Sequence, residues 1–159
     1  MSVKNKLASM YDNVFSNMVR KHWKFHKKAV SSKGILSAYY AFRAKQIQKK
    51  LGGSIPIKSA ISYFRTPHSF SGIFISSKSS IGKDCTIYQQ VVIGSNNEKD
   101  SKGYGAPVIG NNVLIGAGAK IIGNVMIGNN VKIGANCCVV TDIPDNATVV
   151  MEKPRIIIK

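Results

Sequence analysis

Residues 109–144 read IGNNVLIGAGAKIIGNVMIGNNVKIGANCCVVTDIP. Aliphatic side chains recur every six residues, at Ile109, Ile115, Ile121, Ile127, Ile133 and Val139, and a glycine follows four of them, at Gly110, Gly116, Gly128 and Gly134. A small or β-branched residue stands four places after the aliphatic, at Val113, Ala119, Val125, Val131 and Cys137. A six-residue period is a multiple of the two-residue strand repeat, whereas on an α-helix it would scatter these side chains around the surface. Short self-similar units with glycines at fixed offsets build solenoids. Three such hexads close one triangular coil, in which the aliphatic points inward, the small residue fills the space beside it, and the glycine is expected to ease the corner.

The count weakens toward the amino terminus. It begins at Ile55 and Ile61, is interrupted by SYFRTPHSFSG at residues 62–72, and resumes at Ile75, Ile81, Ile87 and Ile93. A second interruption, SNNEKDSKGYGAP at residues 95–107, is too polar for a wall of the prism and is expected to project as a loop. Pro144 ends the regular coils. Residues 145–159 form a tail whose last part, VVMEKPRIIIK, is expected to run extended along a prism edge. Cys85 and Cys137 take the small inward position, where a free thiol acts as a small hydrophobe, and Cys138 should face outward. Three cysteines so placed make no disulfide framework and fit a reducing cytoplasm.

Residues 1–53 have a different character. The chain of 159 residues carries 23 Lys and Arg against 7 Asp and Glu, a formal charge of +16, and residues 1–50 hold twelve of the bases with Asp12 as their one acid. Residues 2–29 read as a basic helix, with Leu7, Tyr11, Val14, Met18 and Phe25 on one face and Phe15, Val19 and Trp23 widening it. His22 and His26 stand one turn apart, the spacing of a two-ligand metal site, but no third ligand accompanies them, and a solvated helical face is expected instead. After a break at Ser31-Ser32-Lys33-Gly34, Ile35–Leu51 reads as a second helix with Leu36, Tyr39, Tyr40, Phe42, Ile47 and Leu51 as its apolar residues, stopped by Gly52-Gly53. The two helices are expected to form a hairpin packed on one end of the prism. Their charge admits a solvated arm or a surface for anionic partners, an anionic membrane face among them. Nucleic acid is disfavoured, because aromatics do not alternate with basic residues on any predicted strand. Residues 1–30 lack the apolar run of a signal peptide, and no stretch has the length and apolarity of a transmembrane helix.

His68 is the one histidine outside the basic helices, within the first interruption after Pro67. An imidazole suits general-base work on a hydroxyl; the plainer reading is a surface-loop histidine. A single solenoid histidine excludes a three-imidazole zinc centre, and no metal is expected. There is no GxSxG motif, phosphate-binding loop or dinucleotide fingerprint. Asp84, Asp142 and Asp145 read as solvated corner residues.

Taken together, TPHSFSGIFIS (66–76), SIGKDCTIYQQVVIGSN (80–96) and the run from Gly105 to Asn146 resemble the serine acetyltransferase-like branch of the hexapeptide-repeat acyltransferases, and especially its members that O-acetylate bacterial surface polysaccharides. The resemblance implies a left-handed parallel β-helix that trimerises, with active sites between subunits and acetyl-CoA as co-substrate. It implies His68 as the general base for direct attack of a hydroxyl on the thioester, and Gln89 near the acceptor. Ala117, Ala135, Val140, Thr141 and Arg155 match the CoA contacts, with Lys120 or Lys132 joining Arg155 at the phosphates.

The departures from that pattern steer the choice of acceptor. Serine acetyltransferases carry a second histidine where Ala106 stands, and an aspartate where Pro67 stands; the carboxylate that orients the base falls near Ser54. These changes favour a sugar or glycan-precursor hydroxyl over serine, with location in the cytoplasm, at the inner membrane face if the basic helices meet lipid. Serine O-acetylation and a non-catalytic scaffold are the alternatives.

Overall fold

In the computed structural model the described residues are 3–153, 155 and 157, with side chains described from residue 13 onward. Two helices, α1 (Val3–Ser31) and α2 (Gly34–Leu51), precede eleven short strands. These are β1 (Phe74–Ile75), β2 (Ser80–Ile81), β3 (Thr86–Ile87), β4 (Val92–Gly94), β5 (Val108–Ile109) and β6 (Leu114–Ile115), followed by β7 (Lys120–Ile122), β8 (Met126–Ile127), β9 (Lys132–Ile133), β10 (Cys138–Val139) and β11 (Thr148–Val149).

The strands stack into three flat walls: β1-β4-β7-β10, then β2-β5-β8, then β3-β6-β9-β11 in order around the coil. Every strand pairing within a wall is parallel, as in Val108 opposite Met126 and Leu114 opposite Lys132, both eighteen residues apart. This is a parallel β-helix with an amino-terminal α-helical extension. The six-residue aliphatics line its axis: Ile87, Ile93, Ile115, Ile121 and Ile133 have no exposed surface, and Ile109, Ile127 and Val139 have almost none. Cys85 and Cys137 are buried and Cys138 is exposed, as their hexad positions require.

The corners differ from expectation. Backbone with positive φ falls on Asn112 (54°), Asn130 (57°) and Asn146 (62°), not on the glycines that follow the aliphatics. Asparagine is one of the few L-residues that tolerate this conformation. Gly110 answers a different need: a Cβ there would stand 2.7 Å from the Gly128 carbonyl oxygen in the next coil, closer than packed atoms allow. The asparagine side chains also bind coil to coil. Asn112 Nδ2 donates to Asn130 Oδ1 and Asn130 Nδ2 to Asn146 Oδ1, both at 2.9 Å. Beside them, Asn111 N–H donates to Asn129 Oδ1 at 2.9 Å and Asn129 N–H to Asp145 Oδ1 at 2.7 Å. Asp142 accepts from Met126 N–H at 2.7 Å. Asp142 and Asp145, expected as merely solvated, thus satisfy backbone donors at the last coil.

The 62–72 interruption proves to be a wall segment with a bulge. Ser54 pairs with Phe74, Ile61 with Ile81 and Arg65 with Thr86, so residues 54–73 form an irregular first coil. From Arg65 to Phe74 the chain runs nine residues where Thr86 to Val92 needs six, and the surplus makes the turn at Pro67-His68-Ser69. Phe64 and Phe70 are fully buried beneath it. The 95–107 segment leaves the prism as a loop closed by the antiparallel bridge Asn96–Gly105. Thr148-Val149 of the tail pairs with Lys132-Ile133; the described residues beyond it form no strand.

The helices form a hairpin on the first coil, and here the histidine expectation is corrected. His22 is fully buried and His26 is 5 % exposed. The buried stripe of α1 is His22, Trp23, His26 and Ala29, while Val14 is 54 % exposed; the side chains of Leu7 and Tyr11 lie outside the described residues. Trp23 packs edge-on against Phe64 at 5.0 Å, and His22 against Phe70 at 4.7 Å between ring centres. Gln48 ties the hairpin to the coil: Nε2 donates to Ile55 O at 2.7 Å and to His22 Nε2 at 2.8 Å, and Oε1 accepts from Ile55 N–H at 3.1 Å. These aromatic and amide contacts hide imidazoles that helical spacing among lysines had placed in solvent. Gly52, at φ 71°, closes α2 in the left-handed conformation.

Candidate active site

His68 lies on the edge between the third and first walls, where the chain passes from Arg65 to β1. Its ring is exposed, and neither nitrogen has a hydrogen-bond partner among the described residues. The Tyr88 ring lies 6.1 Å away between ring centres. Ser69, directly after it, holds φ at 64°, a conformation costly for a non-glycine residue and one that clusters at functional turns.

The bend faces a groove of about 780 Å³. One side is coil backbone and side chains: Arg65, Thr66, His68 and Ser69. The other is helix: Val19 and Arg20 of α1, with Leu51 of α2. The sequence reading missed this helical contribution, because nothing in local spacing says which coil the hairpin covers. Among the described residues, two guanidinium groups, those of Arg20 and Arg65, and no carboxylate line the groove. Thr66 Oγ1, Ser69 Oγ and Gln89 Oε1 are buried without a hydrogen-bond partner among the described residues. Buried oxygens are normally paired, so three near one bend mark a place that a bound molecule or neighbouring chain can complete.

Successive coils stack along this same edge. Gln90 N–H donates to Ser71 O at 2.8 Å, Gly118 N–H to Gln89 O at 3.0 Å and Asn136 N–H to Ala117 O at 2.8 Å. Gln89, Ala117 and Ala135 therefore stack in successive coils on the prism edge that also carries the His68 bend, although 67 residues separate His68 from Ala135 in the chain. Ala117 is half-buried and Ala135 exposed, and their methyl groups leave the strip of backbone between them open. Lys120 and Lys132, both exposed, flank the strip from the first and third walls. A narrow ligand with anionic ends fits such a strip. Val140 and Thr141 sit on the next edge, after β10, and are exposed; Arg155 is exposed in the tail beyond the last strand. Val140 and Thr141 are therefore not brought to the His68 edge within one chain, whereas the tail that carries Arg155 leaves the third wall after β11.

The thiols are not part of this arrangement. Burial pushes the Cys85 thiol above its ordinary value, which keeps it protonated and inert. Among the described residues no cluster of His, Cys, Asp or Glu could hold a metal ion, and no helix is long and apolar enough to cross a membrane.

Residues 106–141 match the family described as bacterial transferase hexapeptide (six repeats). Among curated relatives, a serine acetyltransferase of Synechococcus elongatus is 41 % identical over 86 residues, covering 54 % of this chain and 34 % of that protein. The chain spans about a third of that relative and about half of a Helicobacter pylori serine acetyltransferase, 42 % identical over 88 residues. Among solved structures, the serine acetyltransferase of Neisseria gonorrhoeae superposes with a TM-score of 0.66 at 27 % identity, over 85 % of this chain and 51 % of that one. All three of these relatives are named serine acetyltransferases, and none carries the name of the surface-polysaccharide branch that the sequence departures favour.

Proposed function

We propose that this chain is an acetyl-CoA-dependent O-acetyltransferase in which His68 is the general base. The observation that supports the reading is an unpaired imidazole on the same prism edge as the small residues Ala117 and Ala135. In this reading the pantetheine arm lies along the strip and the acceptor enters the groove. A His68 ring nitrogen takes the proton of the acceptor hydroxyl as that oxygen bonds to the thioester carbonyl carbon. Collapse of the tetrahedral species breaks the carbon–sulfur bond, and the imidazolium returns the proton to the departing sulfur. The products are an acetyl ester and free CoA thiol, with no other reactant consumed. Assembly into a trimer, which would bring a neighbour's Val140, Thr141 and Arg155 to the strip, belongs to the same proposal.

Serine is the acceptor this reading favours, on the names of the relatives. One observation supports a second reading, an acceptor that carries an anionic group: Arg20 and Arg65 line the groove, and no acid does among the described residues. A thiol-release assay with acetyl-CoA against serine and against phosphorylated or nucleotide-linked sugars separates the two. Release that depends on serine supports the first; release only with the anionic sugars supports the second. His68→Ala should lower either rate by roughly 10²–10⁴-fold. Turnover that survives this substitution unchanged would remove the proposed base.

A further inference from the structure

Helix α2 is apolar on two opposite sides. Tyr40, Ala44, Ile47 and Leu51 face α1 and the first coil and are buried or half-buried. At about 100° per residue, Ile35, Tyr39 and Phe42 fall together on the far side of the helix. There they are 91, 48 and 59 % exposed. Leu36 (53 %) and Val30 (40 %) carry the apolar surface across the tip of the hairpin. A patch of this kind, contiguous and large-sided, is uncommon on a soluble protein surface without a partner.

What surrounds it selects the partner. Side chains 13–51 include ten Lys and Arg and no Asp or Glu. Two of these cations are held beside the patch: the Arg43 guanidinium lies 5.1 Å from the centre of the Phe25 ring and donates to Tyr39 Oη at 2.8 Å, and Lys28 Nζ lies 5.0 Å from the Tyr40 ring. Lys27 and Lys33 are exposed at the tip. A second copy of this chain would oppose the same unbalanced positive charge, which disfavours a self-contact. An anionic bilayer supplies both a hydrocarbon boundary for the apolar tip and phosphates for the bases. Neither helix can cross it.

We infer that the hairpin tip docks on an anionic lipid surface, with Ile35, Leu36, Tyr39 and Phe42 entering the headgroup boundary and Lys27, Lys28, Lys33 and Arg43 meeting lipid phosphates. The inference stands apart from the acetyl-transfer reading. The prism would then be held close to the membrane plane, with the helices between lipid and the first coil.

The test is flotation of the full chain with vesicles of phosphatidylcholine containing about 30 % phosphatidylglycerol, against phosphatidylcholine alone. The chain should float with the anionic vesicles and not with the neutral ones. The double variant Ile35→Ser with Phe42→Ser should bind at least about tenfold more weakly, since two large apolar side chains leave the boundary. Lys27→Ala with Lys33→Ala should lose about tenfold or more at low salt and little at about 0.5 M. Thermal melts verify that the variants fold. Equal flotation of the Ile35/Phe42 variant and the parent chain overturns the inference, as does equal binding to neutral vesicles. A parent chain that ignores both vesicle types, while the same variant lowers its oligomeric state in sedimentation, would assign the patch to a second copy instead.

Discussion

Helix α1 keeps two histidines away from water, and the bend of the first coil leaves one open to it. His22 meets Phe70, Trp23 and Gln48, and its Nε2 accepts from the glutamine, which leaves the ring proton on Nδ1, buried and without a partner among the described residues. Burial, and then the charge of neighbouring His26, bring its pKa down to about 3. Burial also lowers that of His26, opposed by its bond to Pro56 O. His68 has neither burial nor partner. Chemical type is the same in the two regions; what differs is whether the ring is committed to packing or available to a ligand.

The contrast breaks most directly at His68 itself. His68→Ala should abolish most acetyl transfer, by the roughly 10²–10⁴-fold stated above, and leave the melting temperature unchanged, because an exposed ring contributes no core contact. A comparable loss of stability would mean that His68 is structural.

His22 should show the reverse. Its folded pKa lies below the unfolded value near 6.5, so the unfolded chain binds the extra proton across that window. Stability is full above about pH 6.5 and falls on acidification, by roughly 3 kcal/mol at about pH 4. Thermal melts across this range should slope more steeply for the parent chain than for His22→Gln. Parallel slopes would show that the ring already titrates freely.

Two smaller effects sharpen a second contrast, between glycine and asparagine at the corners. Gly110→Ala would press a methyl against the Gly128 carbonyl in the next coil and should cost about 2 kcal/mol, read from denaturant melts. Asn130→Ala removes two side-chain rungs at the surface and places alanine at φ 57°, for about 1–2 kcal/mol. Asn130→Gly removes the rungs without the backbone strain and should cost less. If Gly110→Ala is tolerated and Asn130→Gly is not, side-chain ladders rather than coil spacing hold the stack.

Much of the prism was legible because its signal is local and repeated. Each hexad states its inward residue, so Ile109 to Val139 could be assigned to the core and Cys85, Cys137 and Cys138 to their faces. The corner assignment failed because period alone does not separate a residue needed for positive φ from one needed for close approach. The site was legible only in part. His68 stood out as the solitary imidazole, and resemblance connected it with Gln89, Ala117 and Ala135. Arg20 carried no signal, since its place in the groove depends on how the hairpin sits against the first coil.

By itself, then, the order of residues determined a triangular stack of short parallel strands, a polar loop at 95–107 and a basic helical pair ahead of them. These follow from periods of six and 3.6 residues, which act within a few residues of the chain. Only the tertiary structure decided that His22 and His26 are hidden, that α1 walls the groove beside His68, and that Ile35, Tyr39 and Phe42 remain uncovered. Each of those outcomes depends on which surfaces meet at long range, and a helix with apolar residues on two sides does not itself specify which side is buried.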